Sequence, residues 1–194
     1  MQTCDLAILI LAAGRSSRLG RPKQLLVYEN ETLLRHAVQQ ALNISGNVFV
    51  VLGHEKEACL NALEGLHVKC IYNENYLKGI GNSLSFGISH TKAFSHTMIM
   101  LCDQPFIPTT HYASLALHVN DHQEMIIASR YENEPKSTVP AIFPKQYCET
   151  LLKLDGDKGA QFLLNSELRL DVFLPKTLAI DIDTKEDVEN YLKS

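Results

Sequence analysis

The sequence predicts an α/β fold built on a mainly parallel sheet, and three observations carry that prediction. Short apolar runs of strand type recur along the chain, and helical periodicities fall between them, as βα units require. The length, 194 residues and 21.7 kDa, fits one compact domain spanning residues 1–194. Hydrophobic residues make up 45% and charged residues 21%, which supplies a packed core and argues against a disordered chain.

In chain order, the apolar run Leu6–Leu11 reads as the first strand. Leu33, Leu34, Ala37, Val38, Ala41 and Leu42 then share one face of a helix that Asn43 and Gly46 end. Further strands are predicted at Val48–Leu52, Val68–Tyr72, Met98–Leu101, Met125–Ala128, Val139–Phe143 and Leu178–Ile182. Further helices are predicted at Lys56–Leu63, Ser83–Ser89, Thr110–Val119, Lys145–Leu152, Ala160–Leu164 and Glu186–Leu192. Met125–Ala128 and Val139–Phe143 fit either an antiparallel excursion or two more parallel strands. No repeat, charge block or linker marks a domain boundary, and the punctuated loop Glu132–Thr138 contains Pro135.

Composition narrows the function. A net charge of −4, no Trp and 7% aromatic residues give no basic, ring-studded face for nucleic acid. The apolar run Leu6 to Ala13 is far short of the roughly 20 residues that span a bilayer. It also lacks the basic flank and small-residue cleavage site of a signal peptide, so a cytoplasmic protein is expected. Five widely spaced cysteines with no Cys-x-x-Cys pair suit reduced thiols better than disulfides or a zinc site.

Chemistry concentrates directly after the first strand, in Leu11-Ala12-Ala13-Gly14-Arg15-Ser16-Ser17-Arg18-Leu19-Gly20-Arg21-Pro22-Lys23. Small residues and two glycines let backbone N–H groups approach an anion, and four of the 18 basic residues fall within nine positions. The loop is neither a Walker A motif nor a dinucleotide fingerprint. A solvated βα turn with surface arginines is the bland alternative.

Asp103, in Leu101-Cys102-Asp103-Gln104-Pro105, stands at the carboxyl end of an apolar strand, where α/β sheets place ligands. It can hold a metal near phosphates or simply cap a turn. In Ile180-Asp181-Ile182-Asp183-Thr184-Lys185-Glu186-Asp187, alternation puts both aspartates on one side of the expected strand, while Thr184 and Asp187 have capping-box spacing. Capping accounts for the latter pair but not for Asp181 and Asp183, one of which becomes a second metal candidate. Gly79-Ile80-Gly81-Asn82-Ser83-Leu84 suits either a nucleoside contact or a plain N-cap, and for Leu154–Ala160 turn chemistry alone suffices. His118 and His122, four apart, read as a surface face, and covalent catalysis has no support in the sequence.

The run Leu11-Ala-Ala-Gly-x-Ser-x-Arg-Leu-Gly-x-Pro-Lys23 resembles the MobA-like nucleotidyltransferases, and within them the molybdenum cofactor cytidylyltransferases. Gly79–Leu84, Asp103-Gln-Pro105, Pro140–Phe143, Gly156-Asp-Lys-Gly-Ala160 and Asp181-Ile-Asp-Thr-x-Glu-Asp187 extend the likeness over nearly the whole chain. The resemblance implies a single-domain, three-layer Rossmann-like nucleotidyltransferase fold of the nucleotide-diphospho-sugar transferase type. It implies Mg²⁺, a nucleoside triphosphate and a phosphorylated pterin-type acceptor, with a molybdoenzyme or chaperone as protein partner. Carried over by position, Leu11, Ala12, Ala13, Gly14, Arg15, Ser17 and Arg18 would bind base and phosphates, with Asn82 and Ser83 at the nucleoside. Lys23 would also bind the nucleotide by neutralising its triphosphate; Arg18, Lys23 and Asp103 would be catalytic, and Asp103 and Asp183 would hold the metal. Arg21-Pro22-Lys23 after Gly20, in place of the Gly-x-Asp-Lys run of guanylyltransferases, favours CTP. Leu19, Cys102, Thr138 and Lys185 depart from the residues common at those places. Rival readings are a sugar-phosphate or isoprenoid-precursor nucleotidyltransferase and a non-catalytic accessory protein for molybdoenzyme maturation.

Overall fold

A computed structural model describes residues 5–165 and 168–192. Its centre is β1 (Leu6–Ala12), seven residues all buried. On one side β1 pairs in parallel with β4 (Val48–Leu52), and β4 pairs with the edge strand β5 (Lys69–Tyr72). On the other it pairs in parallel with β6 (His96–Leu101). Next comes β8 (Ser137–Pro144), antiparallel to both β6 and β7 (Ile126–Tyr131), and β9 (Arg169–Leu174) closes the sheet parallel to β7. The order is β5-β4-β1-β6-β8-β7-β9, with a separate two-residue hairpin, β2 (Val27–Tyr28) and β3 (Glu31–Thr32).

Alternation along β1 makes the molecule three-layered. Leu6, Ile8, Ile10 and Ala12 face a core shared with α1 (Leu33–Leu42), α2 (Lys56–Ala62) and α4 (Thr109–His118). Ala7, Leu9, Leu11 and Ala13 face the opposite core, shared with α3 (Ile80–Thr91), α5 (Cys148–Leu151) and α6 (Gln161–Leu164). A strand buried on both faces reads as a continuous apolar run, which is why β1, β4 and β6 were visible in the sequence. The periodic helix occupies Leu33–Leu42, with the Thr32 hydroxyl accepting from the Arg35 amide at its start.

Two expectations need correction. Leu178–Ile182 is not a strand. The place beside β7 is taken by β9, whose Arg169 and Asp171 interrupt the apolar pattern and hid it. After Pro175 the chain makes a 3₁₀ turn at Lys176–Leu178 and crosses the carboxyl ends of the strands, where the Ile182 amide donates to the Asp103 carbonyl at 2.9 Å. Ile182, fully buried, packs instead with Leu19, Leu26 and Leu33 in a small separate core. Second, α3 begins at Ile80, three residues before the expected start. Gly79 is its cap, at φ +112°, so Asn82 and Ser83 lie inside the first turn. Of the two pairings open to Met125–Ala128 and Val139–Phe143, the antiparallel one is adopted, through β7 and β8. The last described segment is a three-residue α7 (Lys185–Asp187) continuing into a π-helical turn, Val188–Leu192. Cys59, Cys102 and Cys148 are buried free thiols and Cys70 is a half-buried one, while Cys4 lies outside the described residues.

Candidate functional site

The loop leaving β1 is held in shape by two polar side chains. Gln24, buried, donates from Nε2 to the carbonyls of Ala12 (3.2 Å) and Gly14 (3.1 Å). Ser16 adopts a left-handed φ of +53°, and its carbonyl accepts from the amides of Leu19 (3.0 Å) and Gly20 (3.2 Å). Its Oγ accepts from the Lys23 amide at 3.1 Å. The buried Leu19 anchors the far side of the loop in the small core around Ile182. The loop is therefore fixed before any ligand arrives, and a preformed loop spares the ordering entropy a floppy one would lose.

From this loop Lys23 reaches across the end of the sheet. Its Nζ donates to Asp103 Oδ2 and, at 2.8 Å, to Asp183 Oδ1. Arg18 donates to the other oxygen of Asp183 at 3.1 Å. Burial alone would lower the Lys23 pKa, but the Asp103 charge and the bonds to both carboxylates outweigh it, and the net direction is up. Asp103 is only 6% exposed and its Oδ1 has no hydrogen-bond partner. The Gln104 amide nitrogen donates to Asp181 Oδ1 at 2.9 Å. Loss of hydration first, and the Asp103 charge next, push the Asp181 pKa up. The expected capping box is present: Asp187 Oδ2 accepts from the amides of Asp183 (3.0 Å) and Thr184 (2.7 Å), while the Asp187 amide donates to Thr184 Oγ1. That box holds the backbone of Asp183 where its carboxylate meets Lys23.

A cleft of ≈ 390 Å³ opens over this end of the sheet. Leu11, Ala13, Gly14, Arg15 and Ser17 of the loop line it together with Lys23, Asp103 and Ser83. The opposite wall is Tyr76, Leu77, Gly79, Ile80 and Asp157. Of the residues singled out in the sequence, Ala12, Arg18, Asn82 and Asp183 are not part of this lining. The Ala12 carbonyl serves Gln24, the Arg18 guanidinium and the Lys23 ammonium meet on Asp183, and Asn82 accepts from Asn73 at 3.1 Å. Asn73 also donates to Ser83 Oγ at 3.1 Å.

The two minor glycine motifs prove to be one structure. The Gly81 amide donates to the Gly156 carbonyl at 2.8 Å, and a Cβ at position 79 or 81 would lie 2.3–3.0 Å from atoms of the 155–158 turn. Both glycines thus let that turn sit on the first turn of α3 and bring Asp157 to the cleft. Sequence reasoning missed Gln24, which carries no periodic signal, and Tyr76. The trace of Tyr76 was Gly53, where a Cβ would stand 2.6 Å from the ring.

A second cleft, ≈ 480 Å³, lies along the same edge of the sheet beyond Asp103, lined by Tyr131, Lys136, Thr138, Gln161 and Lys176 among others. Lys176 pairs with Glu134 at 2.6 Å. Tyr131 carries a buried hydroxyl without a partner, and burial first, then the Asp181 and Asp103 charges, push its pKa up. Asp103 lines the first cleft and Tyr131 the second. Among the described residues no group of three or more His, Cys, Asp or Glu is placed to hold a metal. No described helix is long and apolar enough to cross a membrane.

A mainly parallel seven-stranded sheet between helical layers, with a fixed cationic loop at the end of its central strand, is the Rossmann-like fold of nucleotidyltransferases. The chain belongs to the MobA-like NTP transferase family, whose description, "MobA-like NTP transferase domain", matches residues 8–172. It is 30% identical over 131 residues to the bifunctional protein GlmU of Francisella tularensis subsp. novicida, covering 66% of this chain and 28% of that one. The chain thus spans less than a third of the length of those curated relatives. Rv0371c from Mycobacterium tuberculosis H37Rv superposes with a TM-score of 0.81 at 26% identity, covering 99% of this chain and 100% of that one. A manganese complex of Rv0371c also matches, at 24% identity and a TM-score of 0.78, over 98% of this chain and 99% of that one. A CMP:2-keto-3-deoxy-manno-octonic acid synthetase complexed with CTP shares the fold, with a TM-score of 0.73 at 16% identity over 95% of each chain.

Proposed function

We propose that this nucleotidyltransferase moves CMP from CTP to the phosphate of a molybdopterin-type acceptor, with Mg²⁺, and releases pyrophosphate. One observation carries the reading: Lys23, from the loop that walls the nucleotide-sized cleft, bridges Asp103 and Asp183 at its base. Cation, carboxylates and fixed backbone loop thereby converge on one point, as phosphate chemistry needs. Leu11–Arg18 cradles the base and phosphates, Ser83 lines the nucleoside side and Asn82 adjoins it. Lys23 and Arg18 neutralise charge on the leaving pyrophosphate. The acceptor phosphate is already anionic near neutral pH, so its oxygen attacks the α-phosphorus in line without a general base. The acceptor occupies the second cleft, where Lys136 and Lys176 supply positive charge and Tyr131 an unpaired hydroxyl.

Asp103 and Asp183 would hold the metal. The unpartnered Asp103 Oδ1 fits a cation, and Mg²⁺ commonly takes one or two carboxylates and draws its other ligands from phosphates and water. When bound, Mg²⁺ supplies charge neutralisation on the phosphates. The manganese complex of Rv0371c and the CTP complex of the octonic acid synthetase support a divalent metal and CTP respectively.

Thermal unfolding with each nucleoside triphosphate, with and without Mg²⁺, tests base and metal together. At 100 times its dissociation constant a ligand adds about 2.7 kcal/mol, or roughly 5–11 °C for a domain of this size. CTP with Mg²⁺ is expected to stabilise selectively, and pyrophosphate to appear when molybdopterin is added. Asp103→Asn is expected to cut turnover at least about 100-fold while the protein still melts cooperatively. Near-normal turnover in that variant, or no shift with any nucleotide, would refute the proposal.

A further inference from the structure

Each carboxylate oxygen at the base of the cleft has a definite state. Lys23 Nζ holds Asp103 Oδ2 and Asp183 Oδ1, Arg18 holds Asp183 Oδ2, and Asp103 Oδ1 is buried without a partner. Lys23 and Arg18 pair directly with Asp103 and Asp183, so the charge on these two carboxylates is already countered. A divalent ion arriving alone would have to displace an ammonium from oxygens it needs, against the repulsion of Lys23 and Arg18. Asp181, the nearby third carboxylate, accepts from Gln104, and among the described residues no group of three or more His, Cys, Asp or Glu is placed to hold a metal.

A triphosphate changes this balance. It offers Lys23 and Arg18 a denser set of anionic acceptors than the carboxylates do, and such charge-assisted bonds are the strong ones. Lys23 already lines the nucleotide cleft while it touches both aspartates, so a rotation of one flexible side chain moves its ammonium from carboxylate to phosphate. We infer that Lys23 fills the divalent-cation seat in the nucleotide-free protein, so that metal and nucleotide bind as a coupled pair, with Lys23 passing from the aspartates to the phosphates. This rests on the nucleotidyltransferase reading above and adds to it the order of events at the site.

The test is Mn²⁺ binding to the full chain, followed by the paramagnetic resonance of free Mn²⁺, with and without a non-hydrolysable CTP analogue. In the wild type the analogue is expected to tighten Mn²⁺ about 10-fold or more, within the range usual for coupled sites. Lys23→Met is expected to bind Mn²⁺ alone about 10-fold more tightly than the wild type and to lose most of the coupling. Arg18→Met removes the same charge from a more exposed position on only one carboxylate, and is expected to shift Mn²⁺ affinity much less. Equal Mn²⁺ affinity with and without the analogue in the wild type would overturn the inference, and needs no variant to fold. So would an Arg18→Met effect as large as that of Lys23→Met. Pyrophosphate release by the same preparation separates the two claims: turnover with uncoupled Mn²⁺ binding removes only the seat, whereas no nucleotide binding at all removes both.

Discussion

Replacing Gly81 by alanine sets two local effects against each other. Alanine gains about 1 kcal/mol of helix propensity over glycine. Its Cβ, however, would lie 2.5 Å from the Lys158 carbonyl oxygen, 2.9 Å from that of Asp155 and 3.0 Å from that of Gly156. All three are backbone atoms, so no rotamer change relieves the contact and the 155–158 turn must lift. Overpacking of this kind costs about 1–3 kcal/mol, and lifting the turn also stretches the Gly81–Gly156 bond, worth about 1 kcal/mol. The net loss is about 1–3 kcal/mol, a fall in Tm of roughly 2–12 °C for a chain of this length. Because Asp157 and Ser83 line the cleft, calorimetry should show weakened nucleotide binding as well. Gly87→Ala is the control. Its Cβ would meet methyl groups of Leu9 and Val51 at 2.6–2.9 Å, core residues that do not line the cleft. It should lower Tm and leave nucleotide affinity unchanged. A Gly81→Ala protein that melts at or above the wild type, or a Gly87→Ala protein that loses nucleotide as badly, would refute the reasoning.

Two further predictions concern pH. Burial holds the His111 imidazole down at about 4, against an ordinary 6.5, and its Nε2 lies 2.8 Å from Ser129 Oγ, whose own proton goes to the Pro140 carbonyl. Between those pH values the unfolded chain takes up a proton that the folded chain refuses, so stability falls as pH drops, by about 2 kcal/mol at pH 5. Urea unfolding at pH 7 and pH 5 should show that slope reduced in His111→Gln, and equal slopes would count against it. Asp171 accepts from Ser137 (2.6 Å), Arg169 (3.0 Å) and Arg130 (3.0 Å). Burial pushes its pKa up, but these bonds outweigh burial and hold it below the usual value. Asp171→Asn should cost about 2 kcal/mol at pH 7, and the gap to wild type should close as pH falls below the ordinary carboxylate range and through the lowered pKa of the wild-type carboxylate. A gap independent of pH in urea titrations would show that the charge is not what those three donors hold.

The half of the fold around β1 was legible because its strands are buried on both faces and its first helix keeps one apolar stripe. The other half was less so. Arg169 and Asp171 lie within β9, and the ion pairs of Asp171 with Arg169 and with Arg130 satisfy charges that look, in sequence, like those of a loop. Conversely, Ile180 and Ile182 alternate as a strand does, yet they pack into a small core at the sheet's end. At the site, Lys23, Asp103 and Asp183 were legible as separate motifs, but their convergence was not. It depends on a crossing segment tied to Asp103 by one backbone bond, a long-range pairing that no local pattern encodes. Gln24 was invisible for the same reason, since its value lies in two carbonyls that only the folded loop brings within reach.

One strand, β8, runs against its neighbours, so the turn that feeds it, and not its end, sits at the functional edge of the sheet. The residues of that turn, Glu132–Lys136, connect two antiparallel partners and belong to neither hydrophobic core. Changes of length or charge there leave β1, β4 and β6 untouched. On the function proposed above, the protein divides its obligations: the end assigned to the nucleotide is written into the centre of the sheet and is costly to alter, while the turn beside the second cleft can be rewritten cheaply, so that a lineage on this plan would exchange acceptors without giving up its donor.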